Sequence, residues 1–270
     1  MAYFQIIIPN YNNEQYIENC VESIENQTFK DYKIFIIDDV STDNSIEKID
    51  KLEDKYQNIE SFLLDTKSFN GGTRNVGITQ LEFKNCFIAD DLKTKYTIFI
   101  DGDDTFTHNK VLEDIYNICK KSNPDMVRLS YNYCKDGSKI PVILDKNTPA
   151  EVVADPNVAC WLKVVKTELV QRFPENTLME DVVHHIKQID VIDTIECYTT
   201  PAINWNRDNV NSCSQNRTLQ NNKWISSMYR YIADLLDLQC KHDYCEAERQ
   251  LRLSCAIKNL RAGNMTQDKT

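Results

Sequence analysis

Tyr96 to Phe106 reads YTIFIDGDDTF, in which five mostly apolar residues run straight into three aspartates and one glycine within four positions. Carboxylates crowded at a strand end repel one another, and the arrangement is costly unless a cation occupies it. Asp101, Asp103 and Asp104 are therefore candidates to surround a divalent metal. Two other polar groups also follow apolar runs: Pro9, Asn10 and Tyr11 after the first, and Asp38 and Asp39 after the second. In an open parallel sheet ligands bind beyond the carboxyl ends of the strands, so these groups should converge. An aromatic for stacking, an acid to accept from a base N–H and an acid pair for a metal together describe a nucleotide-diphosphate site.

The elements that must position these residues are legible in the apolar patterning. Phe4 to Ile8, Lys33 to Ile37 and Tyr96 to Ile100 are rich in isoleucine and aromatics and read as buried parallel strands. Between the first two, Glu14 to Asn26 has the spacing of an amphipathic helix, with Asn12 or Asn13 as its cap. Ser41 to Tyr56 repeats the pattern, with Ser41 or Thr42 as cap and Ile46, Ile49 and Leu52 as the buried stripe. Glu60 to Leu64 fits a fourth strand, and NGGTRNVGI marks a turn into a helix. Lys110 to Ser122 reads as a helix and Met126 to Tyr133 as a strand. Asn221 to Arg261 is helical, with Trp224, Met228, Tyr231, Leu235, Leu238, Leu251 and Leu253 in apolar stripes, and Gly263 to Thr270 reads as a disordered tail. Strand and helix in alternation imply an α/β fold.

The chain has 270 residues, 41% of them hydrophobic, enough for one large domain. A net charge of -10 and a pI near 5.0 repel polyanions, which disfavours nucleic acid as a partner. No apolar run is long enough to span a bilayer, and the start lacks signal-peptide features, so a soluble, cytoplasmic protein is expected, in a host cytoplasm if the source is viral. The ten cysteines are scattered, with only Cys240 and Cys245 close together, and read as reduced, buried side chains.

IIIPNYNNEQYIENCVESIENQTFKDYKIFIIDDVSTDNS, followed in order by GGTRNVGI and FIDGDD, resembles the opening of family-two glycosyltransferases of the GT-A fold. The likeness is strong over roughly the first 110 residues and thinner afterwards. It implies a Rossmann-like, mainly parallel sheet flanked by helices, with a C-terminal helical extension. The expected divisions are 1–115 for the nucleotide-sugar half, 116–218 for the acceptor half and 219–270 for the extension. By position, Pro9, Tyr11 and Asp39 would contact the base, Arg74 and Asn75 would lie beside the nucleotide, and Asp101, Gly102 and Asp103 match the DxD element. Asp101 and Asp103 would hold Mn2+ or Mg2+, and Asp104 is an extra acid that many members share. In LMEDVVHHI, Asp181 would be the general base of an inverting transfer, with Glu180 the weaker candidate. Arg207 would clamp the diphosphate, with Ser212 and Ser214 nearby. QNNKW, Gln220 to Trp224, is similar to the QxxRW element of processive relatives but carries lysine for arginine.

The resemblance thus implies a metal-dependent inverting hexosyltransferase that moves one sugar from a nucleoside-diphosphate donor, a UDP-sugar, to a glycan or other hydroxyl acceptor. An inactive nucleotide-sugar-binding protein and a sugar nucleotidyltransferase are the alternatives, and the C-terminal helices could mediate a homo-oligomer. Plainer readings stand beside the site residues. Asp38 and Asp39 could be turn acids, Arg74 a surface ion-pair residue, and Glu180 and Asp181 a solvated helix start. His184 and His185 could be core residues or metal ligands, and Trp161 and Trp205 could pack the core or stack on a sugar.

Overall fold

The structure is a computed structural model. It describes every residue except 1, 87, 90–92, 176, 178–179, 210–211, 213–220 and 268–270, and within 221–228 and 258–267 it describes the backbone. The apolar runs form parallel strands β1 (Phe4–Asn10), β2 (Tyr32–Asp38) and β4 (Tyr96–Phe99), with β3 (Ile59–Leu63) at the edge. The sheet continues through β5 (Thr105–Phe106), β6 (Met126–Lys135), β7 (Ser138–Val142), β8 (Lys163–Lys166) and β9 (Ile195–Asn206). The nine strands are ordered β3-β2-β1-β4-β8-β6-β9-β5, with β7 paired to β6. β8 lies antiparallel between β4 and β6, and β6 runs parallel to β9. One sheet therefore carries both the acid cluster after β4 and the residues that follow β9.

The unbroken apolar runs have a packing cause. Successive residues of a strand face opposite sides of the sheet, and here both sides are covered. Phe4, Ile6, Ile8, Ile34 and Ile36 pack with α1 (Ile17–Glu25), α2 (Ser45–Lys55) and α4 (Val111–Ser122). Ile7, Phe35, Ile37 and Phe99 pack beneath α3 (Phe69–Asn85). α2 begins later than the expected cap at Ser41, because the Ser41 N–H and hydroxyl both donate to Asp38. α1 likewise lacks a side-chain cap; the Asn13 carbonyl accepts from Tyr16 and Ile17, and the Asn12 side chain accepts from Thr42 N.

The glycine-rich stretch lies inside α3 rather than in a turn ahead of it. Close approach explains its composition. A Cβ on Gly77 would lie 2.6 Å from Ile7 Cγ2, and one on Gly71 would lie 2.3 Å from the Pro174 carbonyl oxygen.

α5 (Pro149–Val153) and α6 (Glu180–Ile189) lead to the C-terminal helices α7 (Asn221–Asp237) and α8 (Asp243–Gln267). The single helical stretch read from the sequence is broken where Asp190 accepts the backbone N–H groups of Lys241 and His242. Tyr231, Leu235, Leu253 and Ala256 pack on Val182, Val183, Ile186 and Ile189 of α6, whereas Leu251 is exposed. The side chains of Trp224 and Met228 lie outside the described residues. α8 also runs on through the expected disordered tail as far as Gln267; the one glycine there, Gly263, costs a helix only about 1 kcal/mol. Among the described residues the cysteines are free, and no helix is long and apolar enough to cross a membrane.

Gly71→Ala tests the close approach of α3 to the segment preceding α6. Alanine gains about 1 kcal/mol of helix propensity, but the new methyl meets a backbone oxygen that cannot rotate away. A net loss of about 1 kcal/mol or more is expected, read as a Tm lower by about 2–4 °C. An unchanged or higher Tm would show that the two segments are not held this closely.

Candidate active site

The carboxyl ends of β1, β2 and β4 meet on one edge. The register places Asn10 opposite Asp38, and Asn10 Nδ2 donates to Asp38 Oδ2 at 2.7 Å. Asp38 also accepts from Ser41 N–H at 2.8 Å, around a left-handed Val40 with φ 63°, so this acid is the turn residue. Asp39 reaches further, accepting from Ser68 N–H at 2.5 Å and Phe69 N–H at 3.0 Å at the start of α3. Burial raises its pKa against the pull of those two N–H groups. Pro9 is buried, while Tyr11 is 40% exposed with the Lys67 ammonium over its ring.

After β4, Asp104 N–H donates back to the Asp101 carbonyl at 2.9 Å, which gathers the three acids into one turn. A Cβ on Gly102 would meet Asn13 Nδ2 at 3.0 Å and Asn10 Oδ1 at 3.3 Å, so the turn seats against the end of β1. Asp103 Oδ2 accepts from Asn209 Nδ2 at 2.7 Å. Asp104 is 1% exposed; Oδ1 accepts from Asn206 N–H at 2.8 Å and Oδ2 is buried without a hydrogen-bond partner. Burial, reinforced by Asp101, raises the Asp103 pKa to about 6. Burial and then Asp103 push Asp104 well above the carboxylate range, with Arg207 pulling both the other way.

These strained carboxylates and the orphaned Asp104 oxygen are what a cation among them would relieve, so the donor set fits an oxygen-seeking divalent ion. Among the described residues, however, no group of three or more His, Cys, Asp or Glu side chains is arranged to hold a metal. A cavity of about 230 Å3 opens beside Asp103, walled by Tyr16, Asn19, Thr105 and Asn204 among others.

Arg74 joins this cluster to the second half of the chain. It is 1% exposed; one guanidinium nitrogen lies 2.7 Å from Asp101 Oδ1 and the other 3.2 Å from Glu180 Oε1. Burial works against its charge, but the carboxylates of Asp101, Asp181 and Glu180 outweigh it and hold Arg74 ionised. Asn75 clamps the same segment. Its Nδ2 donates to the Phe173 carbonyl and to Glu175 Oε1, each at 3.0 Å, and its Oδ1 accepts from Phe173 N–H at 2.9 Å. Arg74 is thus neither on the surface nor in an open cleft; it lies beneath the site.

Glu180 and Asp181 open α6, where the helix dipole favours acids, so they are first-turn residues as well as site candidates. Burial, then Asp181, raises Glu180 to about 7 against Arg74. Asp181 Oδ1 accepts from Cys160 N–H at 3.2 Å. His184 stacks on Phe173 with ring centroids 3.7 Å apart, and His185 bonds to the Val152 carbonyl; both are buried, and burial holds their pKa values far below the ordinary histidine range, so they are core residues. Trp161 is buried in an aromatic cluster with Tyr131 and Trp205. The Arg207 guanidinium lies over the Trp205 ring, 4.5 Å from its centroid. Ser212 N–H donates to the Asn209 carbonyl, while Ser214 and Gln220 lie outside the described residues. Asn206, Asn209, Glu175 and Lys163 carry no motif that marks them in the sequence; a lysine inside the apolar run CWLKVV is the available signal for the last.

The family model for glycosyl transferase family 2 matches residues 5–181, which takes in every element described above from β1 to the start of α6. The chain belongs to this family. Over 172 residues it is 31% identical to the poly(ribitol-phosphate) beta-N-acetylglucosaminyltransferase TarP of Staphylococcus aureus, an overlap of 62% of this chain and 48% of that protein. Over 198 residues it is 30% identical to the poly(ribitol-phosphate) beta-glucosyltransferase of Bacillus spizizenii, covering 72% of this chain and 29% of that one. The chain thus spans about half the length, or less, of these curated relatives. It superposes on S. aureus TarS 1-349 in complex with UDP-GlcNAc with a TM-score of 0.70 at 20% identity, over 94% of this chain and 71% of that chain. The mannosyltransferase PcManGT from Pyrobaculum calidifontis, in complex with GDP-Man and Mn2+, superposes with a TM-score of 0.63 at 12% identity, over 100% of this chain and 76% of that chain. Both structural likenesses speak for the GT-A fold.

The Asp103 shift predicts a pH-dependent stability. The folded chain keeps this proton up to about pH 6, whereas the free side chain loses it near 3.8, so stability falls as pH rises through that window. Asp103→Asn, measured in chelator, should therefore raise Tm at pH 8, by up to about 3 kcal/mol in stability, and leave it unchanged at pH 3.5. An equal effect at both pH values would contradict the burial of this charge.

Proposed function

We propose that the protein is a metal-dependent, inverting glycosyltransferase that moves a single sugar from a UDP-sugar to a hydroxyl acceptor. The observation that carries this reading is the Arg74 bridge, which holds the acid cluster after β4 and the first turn of α6 at one edge of the sheet. Inverting transfer needs a cation-tolerant diphosphate site and a carboxylate base on opposite sides of the anomeric carbon. The TarS complexes with UDP and UDP-GlcNAc support a uridine donor, and the Mn2+ complex of PcManGT supports a divalent ion.

In this reading the base of the nucleotide stacks on Tyr11 and lies against Pro9, with Asp39 as its hydrogen-bond acceptor. Asp103 and Asp101 hold Mn2+ or Mg2+, and Gly102 keeps the turn seated on β1. When bound, the ion neutralises charge on the departing diphosphate. Arg207, oriented by Trp205, adds positive charge on the same side. Arg74 and Asn75 act from beneath, fixing Asp101 and the segment ahead of α6 rather than touching the ligand. Asp181 takes the proton from the acceptor hydroxyl as its oxygen attacks, with Glu180 held away from that role by its pairing with Arg74.

Asp181→Asn tests the mechanism. The amide is nearly isosteric but cannot accept the proton at neutral pH, so turnover with Mn2+ should fall by about 10²–10⁴ while the UDP dissociation constant barely moves. The parent's product from an α-linked donor should carry a β-linkage, and chelator should abolish its formation. Retention of configuration, or near-parental turnover of the variant, would remove Asp181 from the mechanism. UDP binding without turnover in the parent, across a panel of donors and hydroxyl acceptors, would instead point to an inactive nucleotide-sugar-binding protein.

A further inference from the structure

Lys163 lies at the start of β8, 2% exposed, in a run that is otherwise apolar. A buried ammonium is costly unless its donors are used. Here it donates to the Val158 carbonyl at 2.7 Å and the Ala159 carbonyl at 2.8 Å. Those carbonyls immediately precede Cys160, which opens a 3-10 turn (Cys160–Leu162) and whose N–H donates to Asp181 Oδ1 at 3.2 Å. Burial lowers the Lys163 pKa; of the neighbouring groups the Asp181 carboxylate of α6 opposes that most strongly, followed by Cys160, while Arg128 of β6 and Arg74 of α3 add to it.

We propose that Lys163 is a positioning residue for Asp181. Its ammonium ties down the two carbonyls ahead of the 3-10 turn, and so aims the Cys160 N–H at the Asp181 carboxylate. Its charge partly compensates the Asp181 carboxylate. The mechanism otherwise gives a fully buried lysine no task, and the alternative of simple core packing leaves unexplained why both carbonyls it holds belong to the segment that touches Asp181. The inference rests on the reading of Asp181 as the general base. It adds that the aspartate works only when the 158–160 segment is pinned by a residue that never touches substrate.

Two variants separate the charge from the hydrogen bond. Lys163→Met keeps the length of the stem and removes the ammonium. Cys160→Pro removes the N–H and exchanges the buried thiol for a ring of similar size; proline is tolerated at the first position of a helical turn, and Ala159, at φ -53° and ψ 140°, already has the conformation that precedes proline. In the full chain with Mn2+ and a UDP-sugar, each should lower kcat by about 10-fold or more with the UDP dissociation constant and donor KM nearly unchanged. In an Asp181→Asn background the same changes should cost less than about two-fold, because the groups act as one unit. If Lys163→Met does not fold, Cys160→Pro alone carries the test. A loss as large in the Asp181→Asn background as in the parent, a parental kcat, or a loss confined to KM overturns the positioning role while leaving the base assignment intact. Near-parental turnover of Asp181→Asn itself overturns the base assignment and this inference with it.

Discussion

The buried guanidinium of Arg74 is the constraint around which the rest of the candidate site is arranged. An arginine with 1% exposure survives only if carboxylates surround it, and Asp101 and Glu180 come from opposite parts of the chain to do so. Its planar, forked donors suit this task, since one nitrogen serves each acid. To bring the guanidinium there, α3 must lie flat on the sheet and close to the Pro174 segment, which is why Gly77 and Gly71 stand where any Cβ would collide. Asn75, the next residue, fastens the same segment through three hydrogen bonds.

A second set of contacts ties the late strands to the same edge. β9 runs parallel to β6 and ends at Asn206, whose N–H holds Asp104, and Asn209 just beyond it holds Asp103. The acid turn is thus gripped from one side by Arg74 and from the other by the residues following β9. Asp39 performs a similar task at the end of β2, where it ties the following loop to the first turn of α3. The C-terminal helices enter this account through α6, since they bury the apolar face of the helix whose first turn carries Glu180 and Asp181.

The first half of the fold was legible because β1, β2 and β4 are covered on both faces and so read as unbroken apolar runs. β5, β7, β8 and β9 were not. β5 is two residues long, β7 is mostly exposed, β8 holds a buried lysine within four residues, and β9 mixes polar and apolar positions because only part of it is buried. Motif spacing located the acid cluster and the Glu180–Asp181 pair. It could not say whether Arg74 faces a ligand or lies under the site, since that depends on the packing depth of α3, a property of contacts far apart in sequence. For the same reason spacing left the adjacent histidines open between packing residues and ligands, and their side chains prove to pack against Phe173 and the Val152 carbonyl.

The most direct measurement of this account is a double-mutant cycle in denaturant on Arg74→Met and Glu180→Gln. Breaking a buried pair from one side leaves an uncompensated charge and typically costs about 3–5 kcal/mol, whereas removing both partners costs less than the sum. Arg74→Met should be strongly destabilising, and the double variant should recover at least about 1 kcal/mol of the summed loss. Losses that add within about 0.5 kcal/mol would contradict the claim that this bridge holds the two halves of the site together.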